Sequence, residues 1–231
     1  MKKKLLSLVC VVLLVVGAVF GTYAYLTDND SVTNTFTVGN VGIFLDEADT
    51  DEYGVAIKGA ERVDGNEYKL IPGHTYVKDP TVTVEADSEP SYVRMIVTVE
   101  NIDSLKAAIP AVKYDEYYAG DVFLLEKLCA GWDKNVWEFV NDAEKNKAGV
   151  YEFRFHEVVN TLPVGDAEHG TALTLDALFD TITVPGFLEK AGLEKLGQVQ
   201  IKVVAHAIQA DTFGENAADA WNAYDNQHPV A

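Results

Sequence analysis

Two stretches carry the clearest pattern in the chain. From Ser91 to Asn101, Val93, Met95, Val97 and Val99 fall on one side of a period-two alternation. Tyr92, Arg94, Thr98 and Glu100 fall on the other, with Ile96 as the exception. This predicts a strand of an antiparallel sheet with one buried and one wetted face. From Val199 to Ala210 both sides are apolar, with Ile201, Val203, Ala205 and Ala207 set against Val204 and Ile208. That pattern predicts a central strand buried on both sides. Shorter strands are expected at Thr81 to Glu85, where Val82 and Val84 alternate with threonines, and at Tyr151 to Val159, with Tyr151, Phe153 and Phe155 on one face. Between Val32 and Leu45 the phase changes. Phe36 and Val38 are apolar at even positions, and Val41, Ile43 and Leu45 at odd ones. A period of two skips only where a residue is inserted, and Gly39-Asn40 supplies the residue types for a bulge or a change of sheet.

Helical spacing is confined to short pieces. Ser104 to Ala108, Phe123 to Leu128, Leu173 to Phe179 and Phe187 to Leu196 each read as a short helix. A C-terminal helix over about Asn216 to Tyr224 places Ala217, Ala220 and Trp221 near one face. Residues 103–142 read as a helical insertion capping the sheets, with Trp132, Trp137 and Phe139 as core. Asp46 to Gly65 reads as a solvated acidic loop, Pro72-Gly73 as a turn and Thr161 to Gly170 as a loop. The expected class is therefore mainly β and antiparallel, with short helical insertions.

The N-terminus changes the setting. Lys2, Lys3 and Lys4 precede an apolar run from Leu5 to Phe20, and Thr22 and Ala24 then stand at the small-residue positions of a signal peptidase site. Residues 1–24 are expected to be a signal peptide cut between Ala24 and Tyr25, leaving 25–231 as a single domain. Leu5 to Leu26 is also uncharged and long enough to cross a bilayer core of about 30 Å. An uncleaved anchor is thus the alternative, and the only membrane contact expected. The formal net charge of −18 disfavours nucleic acid and anionic membrane surfaces as partners. It suits solubility outside the cell and leaves room for divalent cations. Cys10 lies in the apolar run, so a cut chain would keep Cys129 alone and form no internal disulfide.

The run Gly21-Thr22-Tyr23-Ala24-Tyr25-Leu26-Thr27-Asp28, followed by Asn34 to Val41, resembles the head of the TasA/camelysin family of exported Gram-positive proteins. Pro72-Gly73 with Lys78-Asp79-Pro80, Ser91 to Arg94 and Ala205 to Asp211 are similar to later stretches of that family. The resemblance implies processing by a SipW-type signal peptidase, a jelly-roll-like β-sandwich and assembly into extracellular fibres. One branch is described as metallopeptidases.

Residues that would carry chemistry are sparse. His156-Glu157-Val158-Val159-Asn160 falls one residue short of H-E-x-x-H, because Asn160 stands where the second histidine belongs and the segment reads as strand. Asp49-x-Asp51-x-Tyr53-Gly54 opens like a calcium loop, but Ala60 occupies the place of its closing glutamate. His206 reads as a core histidine. None of Ser31, Ser88, Ser91 and Ser104 sits in a G-x-S-x-G elbow, and there is no glycine-rich phosphate loop. No catalytic, metal or cofactor residue is assigned, and no cofactor is expected. The leading expectation is a secreted fibre subunit whose donor strand, residues 25–38 anchored by Phe36 and Val38, adds to a neighbouring copy or a related matrix protein. The alternatives are a camelysin-like surface metallopeptidase and a membrane-anchored binding module.

Overall fold

A computed structural model describes residues 40–118, 123–188, 200–214 and 216–228. The expected signal, the Ala24–Tyr25 cut and the donor segment with Phe36 and Val38 lie outside the described residues. Most of the helix expected at Phe187 to Leu196 does too, and Phe187 itself lies in a turn. Among the described residues no helix is long and apolar enough to cross a membrane.

The described chain is mainly β, with every strand pair antiparallel. Its centre is a four-stranded sheet in the order β10-β4-β7-β6, made by Ile201–Gln209, Ser91–Val99, Val150–Phe155 and Trp137–Val140. A three-stranded sheet joins β1 (Ile43–Asp46), β3 (Thr81–Val84) and β8 (Leu173–Thr174). A third joins β2 (Thr75–Val77), β9 (Thr181–Thr183) and β5 (Cys129–Ala130).

Alternation decides what each strand buries. Val93, Met95, Val97 and Val99 of β4 are at most 1% exposed and pack with Tyr151 and Phe153 of β7, Trp137 of β6, and Val82 and Val84 of β3 in the main core. Ile43 and Leu45 of β1 pack against that core, while Phe44 between them is 60% exposed, as the second half of the phase-shifted run requires. The aromatic residues satisfy their polar atoms: Trp137 Nε1 donates to the Asp176 carbonyl (3.0 Å) and Trp132 Nε1 to the Trp137 carbonyl (2.8 Å).

The described helices are α1 (Ile102–Ala108), α2 (Ala111–Tyr118), α3 (Phe123–Leu128), α4 (Ala143–Lys147) and α5 (Ala217–Gln227). Two start at side-chain caps. The Asp142 carboxylate accepts from the N–H groups of Glu144 and Lys145, and the Asn216 carbonyl oxygen from those of Ala218 and Asp219.

Three expectations need correction. The segment 103–142 is helical only in its first part, for it also supplies β5 and β6, and β6 is an edge of the main sheet. Leu173 to Phe179 is not a helix, because Leu173 and Thr174 pair with Val84 and Thr83. Apolar spacing over so few residues fits either structure, and an available sheet edge decided between them. The acidic loop is not wholly solvated. Glu47 is 4% exposed, ion-paired with Lys78 and accepting from Asn66 Nδ2 (2.9 Å).

Candidate functional site

Among the described strands, the one expected at the centre of a sheet stands at its edge. β10 pairs with β4 along its whole length, from Ile201 opposite Val99 to Gln209 opposite Ser91. In the same register the Glu100 N–H bonds the Gln200 carbonyl, and the Ala210 N–H the Pro90 carbonyl. The even-numbered residues of β10 therefore exchange hydrogen bonds with β4. Ile201, Val203, Ala205, Ala207 and Gln209 turn their N–H and C=O groups the other way, where no described strand pairs with them. β1 passes close to β10 but shares no ladder with it. The side chains of β10 are half-buried throughout, apart from the exposed Lys202. Among the described residues, this long apolar edge with one lysine lacks most of the devices by which proteins block strand addition.

Behind this edge lies a second feature. The face of β4 expected to be wetted is covered, because α5 lies across it. Arg94 is 2% exposed. Its Nε donates to His206 Nδ1 on β10 (3.2 Å), and its terminal nitrogens donate to Asp225 on α5 and, at 3.5 Å, to Glu152 on β7. The guanidinium lies 4.5 Å from the Trp221 ring centroid and 5.0 Å from that of Tyr224. Glu152, 3% exposed, also pairs with Arg154 (2.8 Å) and Lys145 (3.5 Å). A buried guanidinium needs such compensation, since stripping a charge of water costs several kcal/mol. Tyr92, Ala210, Ala220 and Trp221 close over the arrangement as a small apolar cluster separate from the main core.

The titration of this cluster follows from its geometry. Burial, and then the Arg94 charge, hold His206 below the ordinary histidine value. The hydrogen bond from Arg94 holds Asp225 below the usual carboxylate range. Because Nδ1 accepts from Arg94, the His206 proton sits on Nε2.

The sequence-predicted residues are scattered. His156 is exposed just past β7, its N–H bonded to the Val136 carbonyl. Asn160, in place of a second histidine, accepts from the Leu162 N–H (3.0 Å) and so shapes a turn. Asp51 spends Oδ1 on the N–H groups of Tyr53 and Val55 (2.9 and 3.0 Å). Burial pushes the Cys129 thiol up to about 12, which leaves it a poor nucleophile. Among the described residues no three His, Cys, Asp or Glu side chains are grouped to hold a metal. The Arg94 cluster was missed. Its sequence signal was an arginine on the polar side of an apolar strand and a Trp-x-x-Tyr-Asp helix, two features nothing in the sequence connects.

The fold and edge define a mainly β, antiparallel protein with an apolar strand whose outer side no described strand pairs. No protein-family model matches the chain, and neither does any curated protein or solved structure.

Proposed function

We propose that this chain is a secreted structural subunit of extracellular matrix fibres. Its sheets belong to one jelly-roll-like β-sandwich. Subunits join by strand addition: residues 25–38 of one copy, freed by a SipW-type peptidase between Ala24 and Tyr25, pair with β10 of the next. The observation that carries the reading is β10, a nine-residue strand of central-strand composition at a sheet edge. An added strand would bond its outward N–H and C=O groups, while Phe36 and Val38 fill space beside it. Copies of itself, or related matrix proteins, are the partners.

The test is N-terminal sequencing of the extracellular protein followed by electron microscopy. Tyr25 at the N-terminus and fibres are expected. Deleting Tyr25 to Asn34 should leave a folded monomer without fibres. A mass that includes residues 1–24, or normal fibres from the truncated chain, would overturn the reading.

A further inference from the structure

We propose that α5 is an acid-released clasp, which protonation of His206 detaches from the outer face of β4 and β10 while the main core stays folded. The helix is held at one polar point and one apolar one. The polar point is Arg94, which reaches His206, Asp225 and Glu152 at once. The apolar point is the small cluster around Trp221, which shares no buried residue with the main core. The inner side of β10 packs against that main core through Ile201, Val203, Ala205 and Ala207. Loss of α5 therefore leaves the sheet with its principal packing intact.

His206 is the trigger because of what its neutral ring does. Nδ1 accepts the Arg94 Nε–H at 3.2 Å, and the ring stacks on Tyr224 of α5 with centroids 4.8 Å apart. A protonated imidazole has no lone pair at Nδ1, so the Arg94 N–H would lose its acceptor and face a second cation at the same distance. The other charges on this face do not cancel that repulsion. From β7 come Glu152 and Arg154, and from α4 comes Lys145, so Glu152 already answers three cations. From α5 come Tyr224, Asp225 and His228, and Asp225 is already engaged by Arg94. His228 stacks on Tyr224 with centroids 4.3 Å apart.

The sign follows from the lowered titration of His206. Its neutral form is the one the docked helix favours, so its contribution is complete above the ordinary histidine value of 6.5 and is lost as pH falls through the lower folded value. Asp225 is also depressed, but its contribution is lost only below 3.8. The clasp therefore opens first through the histidine and at a milder acidity than the carboxylate requires.

The test is hydrogen–deuterium exchange of the full chain at pH 7.5 and pH 5.0, corrected for intrinsic exchange and read by peptide. Protection of 217–227 should fall severalfold, while peptides from β4 and β7 keep theirs. His206→Gln, which retains an acceptor and cannot protonate in this range, should abolish the fall, and His228→Gln should preserve it. Unchanged protection of α5, equal loss across α5 and β4, or a persisting fall in His206→Gln would each overturn the proposal. Should His206→Gln fail to fold, the wild-type ring can be titrated by NMR. Helix opening must then track the His206 midpoint, and a midpoint shared with another group instead would sink the idea.

Discussion

β4 and β10 are each nine residues long, both are largely apolar, and they lie side by side in perfect register. Among the described residues one is flanked by strands on both sides and the other on one side only. Val97 and Val203 make the difference concrete, for they are directly opposite each other and belong to the same core face. The Val97 N–H points towards Tyr151 on β7, whereas the Val203 N–H points to the side where no described strand pairs. Two positions with the same side chain and the same face thus differ in backbone obligation as well as in burial, complete for Val97 and partial for Val203. Burial of a side chain and satisfaction of its peptide are separate matters, and only the first is written in hydrophobic pattern.

The largest expected effect tests that separation. Val97→Pro removes a ladder bond in a central strand and should destabilise the protein by about 3 kcal/mol or more in urea denaturation. Val203→Pro removes no bond to β4, so its cost should be limited to misfit of the ring, about 1–3 kcal/mol at most. If the two variants lose equal stability, the free edge of β10 is not free. Under the proposed assembly, Val203→Pro should also stay monomeric by electron microscopy, since it deprives an added strand of a donor.

The outer faces of the two strands differ in the same way. Arg94→Ala on β4 leaves the partly exposed Asp225 without its cation and opens a space beneath Trp221, and should cost about 2–5 kcal/mol. Its partner across the strand, His206→Ala on β10, removes a single neutral acceptor and should cost about 1–3 kcal/mol. Thermal unfolding of both variants at pH 7.5 checks the order, and a larger loss for His206→Ala would reverse the roles assigned to the two strands. A smaller effect is expected at the donor. Phe36→Asp should leave the melting of a monomer within about 0.5 kcal/mol of the parent while preventing fibres, because that residue is assigned to the neighbour's sheet. Unfolding of that variant would place Phe36 in its own subunit's core.

By itself the sequence determined which residues alternate, and hence the inner faces of β4, β7 and the second half of the Val32 to Leu45 run. It also marked the C-terminal helix with its Asn216 start and its Ala220 and Trp221 face. These are local properties, a period of two or of 3.6 residues. The tertiary structure decided the order of strands, which put β10 at an edge and drew β6 out of the supposed helical insertion. It decided that Leu173 and Thr174 would join a sheet, because a partner edge at β3 was there to complete. It also decided that Arg94 would be buried. An arginine on the polar side of a strand reads as wetted until Asp225, more than a hundred residues away, is brought to it on a helix. Pairing across such distances depends on which surfaces the folded chain presents to one another, and a one-dimensional pattern carries no record of that.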